Sequence, residues 1–396
     1  MNPSGSVVIV GAARTPIGAF LGQLTEVAAP ELGAVAIAAA LERSRMAAES
    51  IDEVCMGCVL PAGLGQAPAR QAALAAGLSE ATGCVTVNKM CGSGMKAIML
   101  AHDALCAGSA RAIVAGGMES MSNAPYLLAR ARTGYRMGHG KLIDHMFLDG
   151  LEDAYEKGRL MGSFAEDCAR TYQFTRKEQD DYAIESLTRA RRAAAEGAFD
   201  AEIIPVRISG REKTRTVDVD ETPQRANLDE IPRLKPVFAS DGSITAANAS
   251  SISDGAAALV LTTDEAARSA GLTPLAAVLG HATHAAAPRD FPTAPIAAIE
   301  KVLQRVGWTR DEVDLFEINE AFAVVVMAAM NDLGLSQDRV NIHGGACALG
   351  HPIGASGARI IVTLLAALER YGFRRGVAAL CIGGGEATAL AIERMN

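Results

Sequence analysis

The chain has 396 residues, 49% of them hydrophobic and 21% charged, with a formal net charge of −8. That length suits two to three domains with substantial cores, and the acidic balance excludes general nucleic-acid binding. Eight cysteines spread without small-scaffold spacing read as reduced thiols in a cytosol-like compartment.

The first element is Ser6-Val-Val-Ile-Val10 running into Gly11, a strand with no basic region before it, so no signal peptide is expected. Ala34 to Arg43 reads as a helix that leads through Ile51-Asp52 into a strand at Glu53–Met56. Cys55-Met-Gly-Cys58 is a lone CxxC without a second pair or a His at zinc spacing; it reads as strand interior, and no metal site is expected. Asn88-Lys-Met-Cys-Gly-Ser-Gly94 sets Cys91 among glycines, followed by a helix from Met95 to Ala101, a strand at Ala112–Ala115 and Gly116-Gly-Met-Glu119.

From about 122 to 250 the texture changes. Thr175-Arg-Lys-Glu178 is a capping box before an amphipathic helix to about Phe199, and Pro205, Pro223, Pro232 and Pro236 break the remainder into loops. Arg207, Arg211, Lys213, Arg215, Arg225, Arg233 and Lys235 form either a solvated face offset by Asp218, Asp220 and Glu221 or a lid that meets phosphates.

The order of parts then recurs. Ile296 to Arg305 leads through Val313-Asp314 into Leu315–Ile318; Gly357 opens a helix at Ala358–Leu365, followed by a strand at Val377–Leu380 and Gly383-Gly-Gly-Glu386. A supersecondary unit written twice, alternating helix and short apolar strand, indicates an α/β fold. Ile98-Met-Leu100 and Ile360 to Leu365 are apolar nearly all round, so both helices must be buried on all sides. Paired between two sheets, they give a duplicated five-layer α-β-α-β-α arrangement. The expected organisation is an N-terminal half at 1–121, completed by about 251–269, a loop domain at 122–250 and a C-terminal half at 270–396. The apolar stretch Ile360 to Leu368 is too short to span a bilayer, so no membrane association and a cytoplasmic location are expected.

Three distant segments carry reactive side chains on tight backbone: Cys91 in Asn88–Gly94, His351 in Gly350-His-Pro-Ile-Gly-Ala-Ser-Gly357, and Cys381 in Cys381-Ile-Gly-Gly-Gly385. Two thiols and an imidazole are what acyl transfer through a thioester requires, with glycines letting backbone N–H groups reach an oxyanion. Taken singly, the two thiol segments also fit a buried Cys beside a turn, and the glycines around His351 also fit a turn alone.

Together, these segments with Ala13-Arg-Thr-Pro-Ile-Gly18, Gly116-Gly-Met-Glu-Ser-Met-Ser122, Asn248-Ala-Ser250, Asp254-Gly-Ala-Ala257 and Asn319-Glu-Ala-Phe-Ala323 resemble the thiolases over essentially the full length, most of all the biosynthetic acetyl-CoA acetyltransferase branch. The resemblance implies reversible Claisen condensation of two acetyl-CoA to acetoacetyl-CoA, with coenzyme A thioesters as substrates and no tightly bound cofactor. It implies Cys91 as nucleophile, favoured as thiolate by the following helix, His351 as its base, Cys381 as acid and base, and Asn319 holding a water in an oxyanion site. The N–H groups of Cys91 and Gly383 would form a second oxyanion hole. By spacing alone Asn319 reads as an N-cap for a helix from Ala321, and only the resemblance points it toward catalysis; Glu320 reads as structural. For coenzyme A the resemblance points to Ser250, to Met161, Ala321 and Phe322 along a tunnel, to Phe291 at the acyl end, and to Arg225 for the phosphates. It further implies a homotetramer built as two dimers, the tight dimer formed by sheet pairing near Ala112 to Ala115 and the tether by the region from Tyr126 to His145.

Some positions depart from the family pattern. Arg225 in Asp220-Glu-Thr-Pro-Gln-Arg225 is displaced by one residue, Glu386-Ala387 replaces a common Met-Gly, Leu160 stands where some members have His, and Cys347 is an extra thiol read as buried filler. A potassium-binding Tyr is not apparent near Thr222, so no potassium dependence is expected. The rival readings are a ketoacyl or hydroxymethylglutaryl-CoA synthase, a degradative 3-ketoacyl-CoA thiolase for longer chains, and a catalytically inactive relative. The synthases lack the combination of Asn-Glu-Ala-Phe with a second late Cys.

Overall fold

A computed structural model of the chain describes residues 6–209 and 214–395. Arg211 and Lys213 of the basic segment lie outside the described residues.

In the N-terminal half, the strands Val7–Arg14, Glu53–Gly57, Gly83–Val87, Ala112–Ser120 and Ser253–Thr263 lie in the spatial order 3-2-4-5-1. In the C-terminal half, Ala276–Ala285, Leu315–Ile318, Arg375–Ile382 and Glu386–Arg394 repeat that order, with the third strand reduced to a single parallel bridge between Val340 and Phe316. Asn341 compensates for the missing strand: its Nδ2 donates to the carbonyl of Ile318 at 2.8 Å and its Oδ1 accepts from Ile318 N–H at 2.8 Å. The parallel and antiparallel pairings match position for position between the halves. A repeated β-α-β unit, folding to the same local minimum twice, explains this.

The expected pair of sheets is in fact joined into one, because Val7–Ile9 pairs with Ala276–Val278 across the halves. Strand residues alternate in what they face: Ile9, Leu259 and Leu261 pack on the two central helices, whereas Val8, Val10 and Val260 pack on the outer helix Ala29–Ser44. On the C-terminal side the outer layer is Ala294–Val306 and Ala323–Leu333. The central helices, Ser93–Ala107 and Ser356–Tyr371, are the apolar stretches seen in the sequence, and every residue from Ser356 to Leu365 is buried.

These helices meet backbone to backbone at their first turns. A Cβ on Gly94 would stand 2.8 Å from Ala358 N, and one on Gly357 would overlap Met95 N. Glycine is therefore required at both positions for steric reasons.

The middle segment contributes Met161–Tyr172 and Arg176–Ala195, the latter opened by the expected Thr175 and Glu178 capping box and ending before Phe199. Buried Arg14 anchors this segment, donating to Asp220 at 2.7 and 2.9 Å and pairing with Glu202 at 3.2 Å. Of the basic residues, Arg215, Arg225 and Arg233 are paired with Glu26, Glu221 and Glu230, as a solvated face would be.

One expectation is overturned. Ala112–Ser120 has strands on both sides, Glu53–Gly57 and Ser253–Thr263, so it has no free edge for a partner subunit. The open edge of this half is Gly83–Val87, with Val85 exposed.

Gly357→Ala forces the central helices apart and is expected to cost about 1–3 kcal/mol, as overpacking in a dense core does. The denaturant midpoint should fall correspondingly; an unchanged midpoint would show that the helix starts can separate freely.

Candidate active site

Cys91 sits on a tight turn immediately ahead of the central helix. Met90 adopts a left-handed φ of 48°, and Ser93 Oγ locks the turn by accepting from Lys89 N–H at 2.8 Å and donating to the carbonyl of Met90 at 2.6 Å. The loop carrying His351 approaches from the other central helix. The Gly384 and Gly385 turn, with φ of 95° and 86°, brings Cys381 and Gly383 from the end of their strand. Cys91, His351, Cys381 and Gly383 line one pocket of about 370 Å³, apolar apart from these groups and a few hydroxyls and backbone atoms.

Met161, Ser250, Ala321, Phe322 and Phe291 line the same pocket. Ser250 is fixed by its N–H donating to the carbonyl of Ala321 at 3.0 Å. Phe291 is 2% exposed and stands edge-on to Phe164 and Phe322, with ring centroids 6.2 and 6.4 Å away. Arg225 is not in the pocket; it lines the adjoining open cleft, which shares Ser251 and Ile252 with the pocket, and is ion-paired to Glu221.

Asn319 is fully buried at the end of the strand Leu315–Ile318, and both polar atoms of its side chain lack a protein partner. The N-cap alternative fails, since the helix begins at Ala323, two residues later than expected, with Phe322 at the cap. A buried amide with open hydrogen-bonding capacity is costly unless water or a ligand satisfies it. Neighbouring Glu320 is structural: its carboxylate accepts from Tyr182 Oη, Ser186 Oγ, Asn341 Nδ2 and Cys347 N–H at 2.8 to 3.0 Å. Cys347 is buried beside it, as filler would be.

Burial sets the protonation states. The Cys91 thiol is pushed up to about 11 by burial, opposed by N–H groups of Gly383 and Cys91 itself. Cys381 is raised well above the usual thiol range by burial and then by Cys91 beside it. His351 is lowered to about 3, by burial and then by Arg359. The resting site therefore holds two neutral thiols and a neutral imidazole.

Its tautomer follows from the hydrogen bonds. Ser356 Oγ donates to the carbonyl of Pro352 at 3.0 Å, so it accepts from Nδ1–H of His351 at 2.5 Å. Nε2 is left with its lone pair, buried and unpartnered, ready to take a proton.

Sequence reasoning assigned no role to Ser356 or to Glu119, although both stood within quoted motifs. Fully buried Glu119 accepts from Val59, Leu60 and Gly354 N–H at 2.9 to 3.1 Å, holding the His351 loop against the neighbouring strand end. Burial pushes its carboxyl up to about 7. Glu386 is ion-paired with Lys89, so the carboxylate near Cys381 ties the two cysteine loops together. Phe147, Phe238 and Ile353 are further lining residues that no spacing rule indicated.

The chain matches the thiolase N-terminal domain over residues 7–265 and the thiolase C-terminal domain over 272–394. It belongs to the thiolase family. It is 49% identical to the acetyl-CoA acetyltransferase of Cupriavidus necator over 98% of this chain and 99% of that protein. Among solved structures it is similar to the Bacillus anthracis acetyl-CoA acetyltransferase, with TM-score 0.97, 40% identity and full coverage of both chains. It is also similar to the Acat5 thiolase from Ascaris suum in complex with coenzyme A, with TM-score 0.93, 44% identity, and 98% of this chain and 100% of that chain covered.

Ser356→Ala removes the acceptor that holds the His351 tautomer. A fall in kcat of about 10- to 100-fold is expected, the range for removing a residue that orients an active-site His. KM should change little, and a kcat equal to that of the unmodified protein would refute the positioning role.

Proposed function

We propose that the chain is an acetyl-CoA acetyltransferase that condenses two acetyl-CoA to acetoacetyl-CoA and free coenzyme A, reversibly, through an acyl-Cys91 intermediate. The observation that carries this reading is the convergence of Cys91, neutral His351, Cys381 and Gly383 on one largely apolar pocket.

In the first half-reaction Nε2 of His351 takes the thiol proton as Cys91 Sγ bonds the carbonyl carbon. The N–H groups of Cys91 and Gly383 hold the oxyanion, and the departing coenzyme A sulfur receives the proton. In the second, Cys381 acts as a thiolate, its own proton held on Nε2 of His351, which donates to the carbonyl oxygen of the second acetyl-CoA together with a water on Asn319. The Cys381 thiolate takes the α-proton, the enolate carbon bonds the acyl carbon, and the Cys91 sulfur leaves and regains that proton. A thiol whose burial raises its proton affinity this far is a strong base once ionised, which suits a weakly acidic C–H.

The pantetheine arm would pass Met161, Ser250, Ala321 and Phe322, with Arg225 in the adjoining cleft placed to meet phosphates at the cost of its Glu221 pair. Exposed Tyr126, Leu128, Met137 and Leu142 support the protruding region as the tether of a tetramer, with the Gly83–Val87 edge replacing Ala112–Ala115 as the tight-dimer contact. Among the described residues, no helix is long and apolar enough to cross a membrane.

With radiolabelled acetyl-CoA, Cys91→Ala is expected to retain no protein-bound label. Cys381→Ala should acquire label yet form no acetoacetyl-CoA. Label held by Cys91→Ala would remove the nucleophile assignment.

Phe291, packed between Phe164 and Phe322, closes the acyl end, so short chains are favoured over the long-chain degradative reading. Each methylene is worth about 1–3 kcal/mol in an apolar pocket, so discrimination should be graded. Phe291→Ala should raise kcat/KM for 3-ketohexanoyl-CoA relative to acetoacetyl-CoA by about 10-fold or more. An unmodified protein that cleaves 3-ketooctanoyl-CoA as well as acetoacetyl-CoA would favour the degradative reading.

A further inference from the structure

At the far end of the central helix from Cys91, roughly 15 Å along its axis, lies a second group of potential ligands that the thioester chemistry does not use. His102, Asp103 and His281 each present an atom, all three within 4.8 Å of one another. His281 Nε2 is 2.9 Å from Asp103 Oδ1, and His102 Nδ1 is 3.5 Å from the same oxygen. Cys106 adds a sulfur 3.7 Å from His102 Nε2, one helical turn further on. The two imidazoles are perpendicular, with centroids 5.0 Å apart, so their lone pairs are not blocked by stacking.

From these residues we propose a divalent transition-metal site of zinc type, formed by His102, Asp103 and His281 with Cys106 as fourth ligand. Tetrahedral zinc with N, O and S ligands at about 2.0–2.3 Å places its donors about 3.3–3.8 Å apart. Ligand atoms of His102, Asp103 and His281 lie within 4.8 Å of one another, and Cys106 Sγ stands 3.7 Å from His102 Nε2 and 4.0 Å from Nδ1, so side-chain rotation must draw the sulfur in to complete the set. Two neutral imidazoles, a carboxylate and a thiolate balance the charge of the cation, the thiol releasing its proton to solvent on binding. Among the charged groups around His281, Lys96 opposes the cation and Asp103 favours it.

The site joins the two halves of the molecule. His102, Asp103 and Cys106 belong to the N-terminal central helix, while His281 belongs to the first strand of the C-terminal half, 178 residues from Asp103. No local spacing in the sequence signals it for that reason. A bound cation would cross-link the halves and stabilise the folded chain without touching the acyl pocket.

The test uses the full chain carrying Cys91→Ser and Cys381→Ser, so that the pocket thiols cannot compete for metal. After dialysis against chelator, Zn²⁺ is titrated by calorimetry and Co²⁺ by absorbance at neutral pH. One equivalent per chain with micromolar or tighter affinity is expected, together with a higher unfolding midpoint in Zn²⁺. His102→Ala and His281→Ala should each weaken binding at least about 10-fold and abolish the Zn²⁺-dependent shift. Cys106→Ser should remove the thiolate-to-cobalt charge-transfer band. His284→Ala, which alters a partly buried imidazole on the same strand as His281, 3.0 Å from Lys301 Nζ, should bind as the parent does. Absence of saturable binding, or binding that survives His281→Ala unchanged, would overturn the site. If His281→Ala lowers the unfolding midpoint equally with and without Zn²⁺, the cluster is a hydrogen bond to Asp103 and nothing more.

Discussion

The backbone contact between the first turns of the two central helices is the constraint on which the rest of the structure depends. Gly94 abuts Ala358 and Gly357 abuts Met95, while Gly57 and Gly117 both give way to the carbonyl of Gly354. Four missing side chains, on two strands and two helices, let the loop of Cys91 and the loop of His351 approach one another across a shared pocket. A single Cβ at this crossing displaces main chain, because its neighbours are backbone atoms with no rotamer to change.

The same closeness buries the reactive groups, and burial governs their protonation. Neutral thiols and a neutral imidazole are the forms that burial favours in the resting site. The groups that orient these loops are also buried: Glu119 gathers three N–H donors, Glu320 gathers four donors, and Ser356 fixes the imidazole. Buried Arg14 is tolerated because Asp220 and Glu202 pair it, whereas Arg359 has Glu317 at 3.6 Å and no hydrogen-bond partner for its guanidinium nitrogens.

Duplication gives this arrangement an economical origin in physical terms. Each half delivers a helix start to the centre, and the halves differ there: the first carries the Cys91 thiol, the second the His351 imidazole. The C-terminal half lost its third strand to a bridge at Val340, and the Asn341 side chain supplies the missing pairing of Ile318, directly before Asn319.

Much of this was legible in the chain itself. Helix and strand periodicity, the doubled order of parts, the all-apolar helices and the three glycine-rich reactive segments are local patterns, and local patterns follow from propensity and period. Cys91, His351 and Cys381 could be singled out because glycines beside a reactive side chain are a sequence signal. What the tertiary structure alone decided depends on contacts between distant residues. The free nitrogen of His351 is set by the direction in which Ser356 donates, and the proton affinities are set by burial. Asn319 proved to be an unpartnered amide and not a cap because the helix starts later than its composition suggests. Ala112–Ser120 proved to be interior because Ser253–Thr263, from far along the chain, occupies its other edge. Periodicity states which residues face inward; only the folded chain states what they meet there.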